Sequence, residues 1–285
     1  EPGINDAPYR QRFITDLIMT ANGGVGSDPL TWVELRPKDG GPAVAPESST
    51  KPAMDWTYVE GKTNAETIAV TASFTKQAVR SMQAIGDNYQ NEVMPALYDE
   101  LDRQVLLGSG TGELKGIVQY AKAFTGASLA GDVQAANSFD VLRAAILQAR
   151  KGNKATAGYL NRTGYIPNAI LVSPDTMAQF DLTKNEWGNY ILPPFTASDG
   201  TKVKGITVIE NDFVGEDQFI VGDFSKALLN VVEGVTSQIG WVNDQFIKNQ
   251  FTFLAEVVAS LRIKYHDTWA FVTGDFTSAK ALITT

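Results

Sequence analysis

The chain has 285 residues and a formal net charge of −8, with 44% hydrophobic and 20% charged residues. Those proportions exclude a wholly disordered polypeptide, and the acidic balance argues against a protein whose main work is gripping phosphates. Cysteine is absent and His266 is the sole histidine, so disulfides, thiolate or two-histidine metal sites and cysteine nucleophiles are excluded. No cofactor is expected.

A domain-length prior of about 150 residues suggests roughly two domains. No apolar run approaches the ~20 residues a membrane helix needs. The first residue, Glu1, is neither methionine nor the start of an apolar signal core, and is read as the start of a soluble, trimmed chain. Residues 1–36 mix an apolar patch (Phe13, Ile14, Leu17, Ile18) with Gly23, Gly24 and Gly26 and read as an extended arm. Pro37, Pro42, Pro46 and Pro52 exclude a helix or central strand from 37 to 52. Trp56–Val59, a turn at Glu60–Asn64 and the alternating Ile68, Val70, Ala72 and Phe74 then predict a two-stranded ribbon. Such a ribbon is marginal in water by itself and needs a surface to lie on.

Residues 87–107 read as a long helix through Val93, Leu97, Leu101 and Val105, with Pro95 forcing a kink or a start near Met94. A second helix begins with Ser138 as its cap and ends at Arg150 and Lys151 before Gly152. A strand at Ala169–Val172 leads into a short helix opened by Ser173-Pro174-Asp175. Further strands are expected at Ile206–Glu210, Gln218–Val221, Ala227–Glu233 and Thr236–Val242. The longest runs from Phe251 to Tyr265, apolar at every second position, with Leu254 and Val258 suggesting cover on its other face. Helices and strands mix without a regular βαβ repeat, so the class is α+β.

Few residues suggest chemistry. Gly108-Ser109-Gly110-Thr111-Gly112-Glu113-Leu114-Lys115-Gly116 lacks both the dinucleotide and the P-loop spacing and follows a helix, so it reads as a structural turn. His266-Asp267 reads as a satisfied structural pair, and Asn161-Arg162-Thr163 as a chance glycosylation match. Arg10, Arg12 and Arg150-Lys151 read as solvated faces or caps. Glu210, Asp212, Glu216 and Asp217 read as solvated loop charge rather than a calcium loop. No enzyme motif is present.

The order of arm, ribbon, long helix ending in the GTG turn and Gly116-Ile117, α/β insertion and closing strand resembles the tailed-bacteriophage major capsid proteins of the Hong Kong 97 fold. The most specific pieces are that turn, Ile170-Leu171-Val172-Ser173-Pro174-Asp175 and Phe271-Val272-Thr273-Gly274-Asp275-Phe276. The resemblance implies an N-terminal arm at 1–36, an E-loop at 37–77, a peripheral (P) domain with a spine helix at 78–137 and 245–285, and an axial (A) domain at 138–244. It implies a non-enzymatic shell subunit of pentamers and hexamers in the virion, assembled in the host cytoplasm around double-stranded DNA contacted non-specifically. Portal, cement proteins and a maturation protease that removes an N-terminal segment would be its partners.

Cross-linking members of that family join an E-loop lysine followed by proline to a P-domain asparagine, aided by a glutamate seven residues further on. Lys51-Pro52, Asn249 and Glu256 match that pattern. Lys51 would be the nucleophile, Asn249 the electrophile and Glu256 the base, gathered from different subunits. The bland reading makes them a loop lysine, a turn residue and a strand carboxylate. An encapsulin-type compartment shell and a monomeric β-rich adhesin are the rival functions.

Overall fold

The computed structural model describes residues 14–22, 29–40, 43–77, 92–152, 164–184 and 202–285, with 37–40 described by backbone alone. The expectations at Arg10, Arg12, Phe13, Gly23, Gly24, Gly26, Pro42, residues 87–91 and Asn161-Arg162-Thr163 lie outside them. The chain divides into two compact units, one of Glu1–Leu30, Thr63–Gln119 and Leu228–Arg262, the other of Thr31–Lys62, Tyr120–Ala227 and Ile263–Thr285.

The first unit is a four-stranded sheet in the order β1-β10-β11-β4, where β1 is Met19–Asn22, β4 Glu66–Thr75, β10 Leu228–Gly240 and β11 Gln250–Arg262. Phe251, Phe253, Ala255, Val257, Ala259 and Leu261 are all buried, as the period of two requires for one face of a strand. Leu254 and Val258 on the other face are half-buried. Helix α2, Met94–Leu107, follows the short α1, Ile14–Leu17, and packs on β4 and β11. Its Val93, Leu97, Leu101 and Val105 are buried as predicted. Pro95 falls in the first turn, where the missing N–H has no intrahelical partner to lose. Thr15 Oγ1 donates to Asp102 Oδ1 at 2.7 Å and ties α1 to α2.

The helix stops at Gly108 because the backbone doubles back. Gly110 N donates to Leu114 O at 3.1 Å and Gly116 N to Gly108 O at 2.9 Å. A Cβ on Gly116 would lie 2.6 Å from Leu106 O. Close backbone contact, not a ligand, explains that glycine.

Two strand expectations need correction here. Ala227–Glu233 and Thr236–Val242 are one strand, β10, whose register against β11 shifts between Val231 and Glu233 and again before Thr236. Gly234 therefore marks a bulge rather than a turn. The ribbon partner was also misassigned. Glu60–Thr63 belong to strand β3, Met54–Thr63, and β3 pairs with β2, Leu30–Gly40. β4 instead pairs with β11 in unbroken register from Thr75↔Gln250 to Glu66↔Ala259. Its alternating apolar residues meet those of β11, Phe74 and Phe251 with ring centroids 6.0 Å apart. Pro37 lies within β2, and a two-stranded ribbon tolerates it because both strands are edges.

The second unit carries that ribbon and a six-stranded sheet in the order β5-β12-β9-β6-β8-β7. Its inner strands are β6 (Ala169–Val172), β8 (Ile206–Glu210), β9 (Gln218–Gly222) and β12 (Phe271–Asp275); β5 is Lys122–Ala123 and β7 Lys202–Val203. Helices α3 (Ser138–Lys151), α4 (Pro174–Asp181) and α5 (Phe276–Ile283) complete it. The cap of α3 is Asn137, not Ser138. Asn137 Oδ1 accepts from Asp140 N at 3.0 Å and Asp140 Oδ2 accepts from Asn137 N at 2.9 Å, a reciprocal capping box. Ser173 caps α4 as predicted, accepting from Thr176 N at 3.2 Å. The core holds a run of rings, Phe139–Phe180–Phe276–Phe219–Phe124.

Candidate functional site

Lys51 is exposed in the segment between β2 and β3, beside the equally exposed Pro52. Asn249 ends the turn between β10 and β11 with φ of 52°, a left-handed conformation that asparagine tolerates better than most residues. Its carbonyl accepts from Lys76 N at 2.8 Å, while the residue stays exposed.

The turn is pinned to the sheet by polar contacts. Gln245 Oε1 accepts from Val242 N at 2.8 Å, Gln245 Nε2 donates to Thr252 Oγ1 at 2.7 Å, and Ser73 and Thr252 hydroxyls lie 2.8 Å apart. Its apolar residues point outward instead. Phe246 and Ile247 are 69% and 81% exposed, and Trp241 stands edge-on to Phe246 at 5.7 Å. The Lys248–Asp244 pair at 3.6 Å is solvent-exposed and worth little.

Glu256 is half-buried in the middle of β11, paired with Thr236 on β10 and Ala69 on β4. Thr236 Oγ1 approaches its Oε1 at 3.5 Å, a weak contact. No bulge interrupts β11 against β4 over Gln250–Ala259, so seven residues at ~3.3 Å each put Asn249 and Glu256 about 23 Å apart within one chain. One copy does not bring these two together.

His266 and Asp267 lie in a 3-10 turn, His266–Ala270, beyond the end of β11. A ring nitrogen of His266 meets Leu35 O at 2.9 Å, and the Tyr165 hydroxyl lies 3.2 Å from Asp267 Oδ1. Burial pushes the Asp267 carboxyl up, against the lowering contributions of Tyr165 and nearby cations. The structural reading of the pair holds. Glu210, Asp212 and Glu216 are exposed, and no group of metal-ligating side chains occurs among the described residues.

Sequence reasoning missed a buried carboxylate at the root of the ribbon. Glu34 is only 6% exposed. Its Oε1 accepts from Trp32 Nε1 at 2.7 Å and from Tyr265 N at 2.8 Å, and its Oε2 from Arg36 Nη2 at 3.2 Å. The available signal was the alternation Trp32-x-Glu34-x-Arg36, which places all three side chains on one strand face.

Burial alone would raise the Glu34 carboxyl. Hydrogen bonds from Trp32, Tyr265 and Arg36, with the Arg36 charge, hold it below its ordinary value of 4.5. Because the folded value is depressed, the stabilisation is complete above about pH 4.5 and is lost as pH falls through the lower, folded value. Wild-type protein is thus expected to resist urea better than Glu34→Gln at pH 7, and the gap to narrow progressively in acid below pH 4.5. A gap independent of pH would contradict this.

Comparison with known proteins places this geometry in context. The sequence model of the Phage capsid family matches residues 1–276. The major capsid protein of Enterobacteria phage HK97 is 26% identical over 281 residues, covering 97% of this chain and 68% of that protein. A solved structure from Microbacterium phage Oxtober96 superposes with a TM-score of 0.69 at 14% identity, covering 96% of this chain and 93% of the other. The capsid of an empty GTA particle gives 0.68 at 13% identity, covering 96% and 92%. These likenesses support the Hong Kong 97 fold expected from the sequence.

Proposed function

Because this chain belongs to the phage capsid family, we propose that its copies close into an icosahedral head of pentamers and hexamers around double-stranded DNA. The protein is a structural major capsid subunit and not an enzyme. The observation that carries the assembly reading is the ribbon β2–β3, a sheet of two strands whose Val33 and Tyr58 are 70% and 75% exposed.

Two strands alone are marginal in water, and apolar side chains on so thin an element find cover by association. Burying ~1,000 Å² of apolar area between copies contributes about 25 kcal/mol gross at ~25 cal/mol/Å². Ordering costs offset most of that at each contact, yet many contacts per subunit add up across a closed shell. Head-to-tail contacts of this kind close into rings when the rotation permits.

The same reading gives Lys51 and Asn249 a covalent role between copies. Neutral Lys51 Nζ attacks Asn249 Cγ, the bond from Cγ to the amide nitrogen breaks, and ammonia leaves as the new Nζ–Cγ amide forms. Glu256, as base, takes the Lys51 proton and returns it to the departing nitrogen. The ~23 Å between Asn249 and Glu256 in one chain supports an arrangement drawn from several subunits.

Purified protein is expected to elute as a multi-megadalton particle in size-exclusion chromatography and to show polyhedral shells under the electron microscope. Elution near the mass of one chain at high concentration would overturn the assembly reading and favour a monomeric binding module. Shells that hold protein cargo and never nucleic acid would favour the compartment alternative.

A further inference from the structure

We propose that Glu34 is a latch that fixes the direction of the β2–β3 ribbon, and is thereby the positioning residue for Lys51. The second half of that statement rests on the cross-linking reading above; the first does not.

The ribbon has no third strand among the described residues, so its pairing alone does not fix its angle to the rest of its unit. Its outer face supplies little apolar anchorage near the root, where Val33 is 70% and Leu35 37% exposed. What holds it there is polar and directional. Three consecutive residues each grip the Tyr265–His266 turn, more than 200 positions away in sequence. Glu34 Oε1 accepts from Tyr265 N at 2.8 Å, Leu35 O meets the His266 ring at 2.9 Å, and the Arg36 guanidinium lies 3.9 Å above the Tyr265 ring centroid. Charge-assisted hydrogen bonds of this kind define geometry more narrowly than apolar contact does.

The same carboxylate also reaches across the ribbon. The Trp32 indole that donates to Glu34 rests on Gly61 of β3, where an added Cβ would lie 2.3 Å from Trp32 Cε2. Both strands and the turn therefore meet at one side chain.

The chemistry requires a carboxylate rather than an amide. With Oε1 taken by Trp32 and Tyr265, Oε2 must accept from Arg36. Glutamine would keep the first two contacts but present an N–H to the Arg36 donor. Glu34→Gln thus cuts the Arg36 arm at constant shape. Trp32→Phe cuts the indole arm while leaving a ring against Gly61.

The chain has no cysteine, so spin labels can be placed without background. Thr57→Cys on β3 of the ribbon and Lys226→Cys in the same unit are both exposed and give one distance in unassembled full-length protein. A single narrow distribution is expected for the parent, at least doubled in width in Glu34→Gln and in Trp32→Phe. Should Glu34→Gln fail to fold by circular dichroism, Trp32→Phe decides on the same readout. An unchanged width in a folded variant, or failure of both variants to fold, overturns the latch.

Cross-linking is read separately in assembled shells, where normal shell yield with at least tenfold slower covalent multimer formation marks a positioning role. A broadened distance in the unassembled variants, with parent shells that form no covalent multimers, keeps the latch and removes the cross-linking reading. An unchanged distance with intact multimers does the reverse.

Discussion

Shells built from Lys51→Arg or from Asn249→Asp are expected to assemble at the parent's yield and to run after boiling as a clean monomer band. Arginine keeps the positive charge but is never deprotonated in proteins, so it supplies no nucleophile. Aspartate keeps the size and tolerates the left-handed backbone at φ 52°, but a carboxylate is a far poorer electrophile than an amide. The parent is expected to give ladders of multimers. Glu256→Gln should slow their growth by about 10²-fold or more, the usual scale for loss of a positioned base. The decisive arm is mixing. Lys51→Arg subunits retain Asn249, and Asn249→Asp subunits retain Lys51, so shells co-assembled from both can link only between unlike copies. Reappearance of dimers in the mixture fixes the reaction between subunits, and dimers absent from co-assembled shells whose parent cross-links would place Lys51 and Asn249 in one chain. A monomer band from mature parent shells would remove the covalent chemistry and leave the shell untouched.

How much of this was visible beforehand depended on the range of each interaction. β6 and β8 were read to the residue, because a short apolar run between polar flanks is a local signal. The start of α2 near Met94 followed from Pro95 alone. Errors arose where the deciding partner was distant. Two strands were expected on either side of residues 234–235 because nothing local reveals that β10 continues past them through two register shifts against β11. The pairing of β3 with β2 was missed because β4 was nearer in sequence and alternated more cleanly, although that alternation served β11.

The candidate site divides the same way. A turn asparagine and a strand carboxylate are local facts and were legible at Asn249 and Glu256. The roles proposed for them came from resemblance alone. For Glu34 only the alternation with Trp32 and Arg36 was local. Its donors include a backbone N–H at Tyr265, and no sequence pattern marks which distant amide a carboxylate will meet.

Phe276→Ala is expected to be the most damaging single truncation in the second unit. Phe276 is 1% exposed and lies between Phe219 and Phe180, with centroids at 4.9 and 5.5 Å. It also opens α5 directly after β12, so one ring couples a helix terminus to the sheet. Truncating a buried phenylalanine costs about 3–5 kcal/mol, and the broken ring pairs belong to the upper part of that range because each adds ~0.5–1.5 kcal/mol beyond area. The backbone anchors survive the change: Phe276 N donates to Asp217 O at 2.7 Å and Asp275 caps the helix through Ser278 N at 2.7 Å. The loss is therefore one of packing. At ~1.4 kcal/mol per tenfold, amide exchange in β9 and β12 should accelerate by about three to four orders of magnitude, with β10 and β11 as internal reference. Phe276→Leu, which refills most of the volume, should cost under ~1.5 kcal/mol. A Leu variant as damaged as the Ala variant would mean that ring geometry, not filled space, holds this core. Exchange unchanged in both would mean that the five-ring row does not carry the unit's stability at all.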